Sequence, residues 1–164
     1  MERGLSASGP DREPITADGL AALHAELERL ETTERETMAA RIKAARELGD
    51  LKENAEYHIA KEDQAHLETK IKRVRQRLSA AVVVEADSTS DTFDFGRTAE
   101  VVDEATDRVH TWTLVGATEA DLAAGKLSAE SPVGQALMGR APGDTVEVQA
   151  PRGTRGYRIQ KLVS

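Results

Sequence analysis

The chain has 164 residues and a net charge of −7, from 29 acidic and 22 basic side chains. That length fits one ordinary domain or two small ones, and a chain acidic overall is a poor candidate for a general duplex-DNA binder. One Trp, two Tyr, two Phe and no cysteine exclude an aromatic-rich core, a disulfide, a thiolate metal site and a thiol nucleophile.

Met1–Pro14 lacks the apolar stretch of a secretory signal, and no apolar run approaches the ~20 residues of a membrane span. Residues 1–13 read as a flexible tail, and a cytoplasmic protein without membrane contact is expected. A helix opens at Ile15-Thr16-Ala17-Asp18-Gly19-Leu20. Thr16 is placed to cap it, Asp18 lies in its positive first turn, and Ile15 and Leu20 are spaced as a hydrophobic staple. Leu20, Leu23, Leu27 and Leu30 continue an apolar stripe that falters at Glu34 and resumes at Met38, Ile42 and Ala45. Two steps of four in succession make a stutter, which admits a local unwinding or break near Thr32-Thr33. A second helix carries a heptad seam of Tyr57, Ala60, Gln64, Leu67, Ile71, Val74, Leu78 and Ala81. Gly49 suits a helix stop, and so short a connection forces antiparallel neighbours. The first half, residues 14–81, is therefore predicted to be an α-helical hairpin whose longer helix (17–48) reaches about 48 Å. Each apolar stripe is consumed by the other helix, so such an arm can stand in solvent.

Residues 82–164 read as a small α+β domain. Val82-Val83-Val84 begins a strand, and residues 85–97, rich in Ser, Thr and Asp, read as linker or loop. Thr98–Asp103 and Val109–Val115 form one predicted hairpin, and Thr145–Gln149 and Tyr157–Val163 another across Pro151-Arg152-Gly153. Between them Ser131 is a predicted helix cap with Pro132 in the first turn, the helix stopping at Gly139.

The hairpin tip carries the candidate chemistry. Asp50 and Glu53 stand three apart, which is the form of a capping box for the second helix. The same pair could hold a divalent cation whose remaining ligands come from another molecule, because Mg²⁺ is typically bound through one or two carboxylates plus phosphates. The two readings are compatible. His24, His58, His66 and His110 form no metal-ligand pattern. Lys70, Lys72, Arg73, Arg75 and Arg77 run without an intervening acid; they fit the solvated face of a coiled coil better than an electrostatic footprint for RNA or an acidic surface.

The tip string Ala45-Arg46-Glu47-Leu48-Gly49-Asp50-Leu51-Lys52-Glu53-Asn54-Ala55-Glu56-Tyr57-His58 resembles the signature of the bacterial Gre family of transcript-cleavage (transcription elongation) factors, GreA/GreB type. Ile15-Thr16 with the Leu-rich helix after it is similar to that family's opening. The stretch from Leu127-Ser128 to Gly143-Asp144 resembles its second signature, so the likeness covers about residues 14–163. Ala65–Thr69 depart from the glycine- and aromatic-containing stretch usual in the family's second helix. The resemblance implies a coiled coil that enters the secondary channel of RNA polymerase and an FKBP-like C-terminal domain that docks at the channel mouth. Asp50 and Glu53 then help hold a catalytic Mg²⁺ shared with the polymerase and orient water, so that the enzyme cuts the nascent RNA 3′ end of a backtracked transcript. The isolated protein would bind no cofactor. Arg46, Lys52, Asn54 and Tyr57 become candidates for contact with RNA or channel walls, and Ser131 and Pro132 for docking. A monomer that activates the polymerase rather than an enzyme in its own right is expected. Three alternatives stay open: a channel-occupying regulator that does not promote cleavage, a prolyl isomerase in the second half, and a generic coiled-coil adaptor. The isomerase would need an aromatic-lined pocket from Phe93, Phe95, Trp112 and Tyr157.

Overall fold

A computed structural model describes residues 12–164; the expected tail lies almost wholly outside them. The chain divides into two units, one of Leu20–Ala81 and one of Val82–Ser164 together with the segment leading to Gly19.

The first unit is the helical hairpin. Helix α1 (Ala17–Arg29) passes through a π-helical turn (Leu30–Glu34) into α2 (Arg35–Arg46), and α3 (Ala55–Ala80) returns beside α2. Ion pairs fix the direction, since Glu31, Arg35 and Arg41 meet Arg75, Glu68 and Asp63 in descending order. The seam buries Leu23, Leu30, Ile42 and Ala45 from one strand of the hairpin and Ala60, Leu67, Ile71 and Val74 from the other. Burying a side chain such as Leu30 or Ile71 contributes about 2 kcal/mol. The stutter is resolved where the sequence places it. The wide turn at 30–34 takes up one extra residue, so Met38, Ile42 and Ala45 return to the side of Leu30. Arg35 grips Glu68 through two hydrogen bonds, Nε–Oε2 at 3.0 Å and Nη2–Oε1 at 2.8 Å. That contact above all holds the Glu68 carboxyl below its usual range. The pair is exposed and screened, so it orders the seam's edge rather than stabilising it strongly.

The second unit is the α+β domain. Strands β3 (Thr98–Asp103), β4 (Arg108–Val115), β5 (Lys126–Ser128), β6 (Thr145–Ala150) and β7 (Gly153–Leu162) form one sheet in the order β5-β4-β3-β7-β6. All pairings are antiparallel except β4 with β5. Both predicted hairpins are present, the second with a shorter turn because β7 begins at Gly153. Two three-residue strands have no legible period. One is β5, and the other is β1 (Glu13–Ile15), which pairs with β2 (Ala81–Val83). Helix α4 (Pro132–Leu137) packs against β6. Ala99, Val101, Leu114, Leu127, Leu137 and Ile159 form the centre of the core, with Trp112 and Tyr157 beside them. Phe93, Trp112 and Tyr157 are buried within this packing, and Phe95 lies half-buried against it.

Residues 84–97 contain no helix or strand, as expected of a loop, but they are not merely a linker. Phe93 is fully buried, and its backbone is tied to Arg140 and Gly139. Arg97 is also buried; its guanidinium donates to the carbonyls of Asp87, Ser90 and Ser164 at 2.8, 2.7 and 2.5 Å. Three carbonyls replace the water such a charge loses. The start of α1 is capped as read, Gly19 N–H donating to Thr16 Oγ1 at 3.0 Å. Glu119 accepts from Thr16 N–H and Gly116 N–H, both at 3.0 Å, and from the Thr16 hydroxyl.

Asp103 ends β3 in a buried position, accepting from Ala105 N–H at 2.9 Å and from the Arg155 guanidinium of β7. Burial pushes this carboxyl upward, but the Ala105 and Thr106 amides and Arg155 together outweigh it, and its pKa lies below the ordinary value. A depressed folded-state pKa stabilises the fold above the unfolded value, near ~3.9, and the contribution is lost as pH falls through the folded value. Asp103→Asn is accordingly expected to melt well below the parent at pH 7. The gap should narrow as pH drops from about 4 downward, as read by thermal melts across that window; a gap independent of pH would remove the linkage.

Candidate functional site at the hairpin tip

The turn between α2 and α3 is built from backbone needs first. Helix α2 closes with Glu47 N–H on the carbonyl of Lys43 (3.3 Å) and Leu48 N–H on that of Ala45 (3.1 Å). Gly49 follows at φ +128°, a conformation that disfavours any side chain. Asp50 then folds over its own chain, Oδ1 accepting from Lys52 N–H at 3.0 Å. This is an Asx turn.

The capping box expected between Asp50 and Glu53 does not form. The N-cap of α3 is Asn54, whose Oδ1 accepts from Tyr57 N–H at 3.1 Å while its amide nitrogen donates to the carbonyl of Ala45. The physical reason is the amide itself. One oxygen and one NH₂ serve the open N–H groups of α3 and an open carbonyl of α2 together, which a carboxylate cannot do. Asn54 therefore staples the two helix ends to each other. Asn54→Ala is expected to cost about 1–2 kcal/mol in chemical denaturation and to speed amide exchange at Tyr57.

With Asn54 doing the capping, both acids are released from that duty. Asp50 and Glu53 are exposed at the extreme turn, and Glu53 makes no hydrogen bond among the described residues. No cluster of three or more His, Asp or Glu able to hold a metal occurs among the described residues. Two hard oxygen donors in the open fit a share of a Mg²⁺ site, not a whole one.

The other tip residues divide between structure and surface. Tyr57 is half-buried at the end of the seam, with the Arg46 guanidinium 5.9 Å from its ring centroid and the His58 ring edge-on at 5.6 Å. Lys52 is exposed, and its carbonyl lies 3.2 Å from His58 Nε2. Arg46 also lines a shallow groove with Ala39, Ile42, Lys43, Glu47, Lys61 and Gln64. Lys43 and Lys61 were not singled out in the sequence; Lys43 neighbours Arg46 one turn back on α2, and Lys61 joins them only once α2 lies against α3. In the other unit Ser131 caps α4, its Oγ accepting from Gly134 N–H at 3.1 Å and donating to the Ser128 carbonyl at 2.7 Å. Pro132 stands exposed at the first helical position.

A helical hairpin with a pinned, doubly acidic turn, followed in the chain by a five-stranded α+β domain, is a build that offers charge at its end. Models of two transcription elongation factor domains match it in sequence. The N-terminal domain matches over residues 13–83, and the GreA/GreB C-terminal domain over 88–163. The chain belongs to the GreA/GreB family of transcription elongation factors. Transcription elongation factor GreA of Rhodospirillum rubrum is 45% identical over 150 residues, 91% of this chain and 96% of that protein. The protein of the same name from Cereibacter sphaeroides is 44% identical over 149 residues, again 91% and 96%. Among solved structures, Gfh1 of Thermus aquaticus is 27% identical and covers 94% of this chain and 99% of its own, with a TM-score of 0.41.

Proposed function

We propose that this elongation factor inserts its hairpin into the secondary channel of RNA polymerase and stimulates cleavage of the 3′ end of backtracked transcripts, so that arrested complexes resume synthesis. The observation that carries the reading is the pair of carboxylates at the tip, both exposed and neither engaged in an ion pair among the described residues, on a turn that Asn54 and Gly49 hold in shape. Mg²⁺ bound in the polymerase active site supplies charge neutralisation at the scissile phosphate and a water of lowered pKa. Asp50 and Glu53 offer that site additional hard oxygen ligands and acceptors for a water proton. Because the turn is fixed beforehand, little ordering remains when they arrive. Arg46, with Lys43 and Lys61 along the adjoining groove, offers cationic partners for the phosphates of extruded RNA. Lys52 is a further exposed cation at the turn. The exposed Pro132 and the capped start of α4 are surface for docking the α+β domain.

The test is direct. Stalled, backtracked complexes with 3′-labelled RNA are incubated with and without the protein. Release of short 3′ fragments and resumed elongation are expected. A change in elongation rate with no shortening of the RNA would overturn cleavage and leave a channel-occupying regulator.

A further inference from the structure

The tip shows apolar groups beside the carboxylates. Leu48 is 70% exposed and Leu51 41% exposed, bracketing Gly49 and Asp50. Every other leucine of the hairpin is buried or half-buried on the seam or its flank. Turn residues are normally polar, and neither leucine is needed to close this one. Gly49, the Asp50 Asx turn and Asn54 complete the backbone's hydrogen bonding without them. A third exposed leucine, Leu122, belongs to the other unit, so it serves as a control of equal character.

The carboxylates have the complementary problem. A carboxylate–Mg²⁺ contact fixes the geometry around the ion itself, but two ligands on a single turn leave the depth and rotation of the arm behind them poorly defined. Two leucines on the same turn supply the missing constraint, because apolar contact is made only at one seating distance and excludes water from its surroundings. Excluding water also strengthens the adjacent charge interactions.

We propose that Leu48 and Leu51 are positioning residues that seat in an apolar recess of RNA polymerase beside its cation site, fixing where Asp50 and Glu53 are presented. This rests on the cleavage reading above. The patch is continuous with the surface that reading places in the channel. Its two leucines lie within two residues of Asp50.

The test uses the full chain with backtracked polymerase and three variants: Leu48→Ser with Leu51→Ser, Leu48→Met with Leu51→Met, and Leu122→Ser. Because the tip leucines are exposed, the serine pair should melt with the parent, and melts are recorded for each. With the factor saturating, the serine pair is expected to cut RNA roughly tenfold more slowly, below the ~100-fold loss that a full 1 Å misplacement brings. It should also need several-fold more Mg²⁺ for half-maximal cleavage. A separate readout is binding of fluorescently labelled factor to the polymerase in Mg²⁺-free buffer, expected to weaken roughly tenfold on loss of the apolar contact. The methionine pair should recover most of each effect, and Leu122→Ser should change none. Parent-like cleavage, Mg²⁺ dependence and binding in the serine pair would overturn the inference while leaving the proposed function intact. So would an equal loss in Leu122→Ser. Absence of cleavage by the parent itself would instead remove the reading on which the inference stands.

Discussion

Asp50→Asn combined with Glu53→Gln is expected to abolish stimulated transcript cleavage, by roughly 100-fold or more, with no change in folding. The substitutions are chosen from the geometry. An asparagine at 50 keeps an oxygen for Lys52 N–H, so the Asx turn survives, and Glu53 has no described hydrogen bond to lose. Stability should stay within about 0.5 kcal/mol of the parent, as for surface positions without partners. What changes is confined to charge and to ligand strength toward a hard cation. The measurement is the rate of 3′-fragment release from backtracked complexes, alongside a thermal melt. A double variant that cleaves at the parent rate would show that the tip carboxylates have no part in the chemistry, whatever the arm does in the channel.

Phe93→Ala is expected to destabilise the α+β domain by about 3–5 kcal/mol in urea unfolding. This is the largest single-residue loss we foresee. Phe93 is fully enclosed although it lies in a stretch with no helix or strand, so truncation leaves a cavity with little regular structure free to collapse into it. Phe95, only half-buried against the same core, should lose markedly less on the same change. Equal, small losses at both positions would mean that residues 84–97 cover the domain without holding it together.

These two predictions mark where sequence reasoning works and where it stops. The hairpin is legible because one interaction, apolar burial along a seam, repeats at fixed spacing. Even its irregularity shows, as the double step of four from Leu30 through Glu34 to Met38 that becomes the π turn. The α4 start is legible for a related reason, since Ser131-Pro132 encodes a local hydrogen-bond demand. Phe93 and Arg97 are not legible. Their burial is decided by partners far along the chain, Arg140 and Gly139 for one and Ser164 for the other, and nothing in a Ser-, Thr- and Asp-rich stretch announces them. The strands β1 and β5 fail for the same reason, being three residues long and defined only by what they pair with. At the tip, the acidic pair is visible in sequence, but its division of labour is not. Asp50-x-x-Glu53 has the spacing of a capping box, and only the geometry shows Asn54 displacing it by satisfying both helix ends.

The π turn between α1 and α2 has a consequence for how this arm tolerates changes in length. Its wide winding stores one residue beyond regular helical need. A one-residue deletion at Thr32 or Thr33 would therefore be absorbed by rewinding to α-geometry, leaving everything distal in its old azimuth. The same deletion in α2 would swing all that follows by about 100° and draw it back about 1.5 Å, taking Ile42 and Ala45 out of their facing holes. The five residues from Leu30 to Glu34 are thus a length buffer, the one stretch of this helix from which a single residue can be lost while the end of the arm keeps its aim.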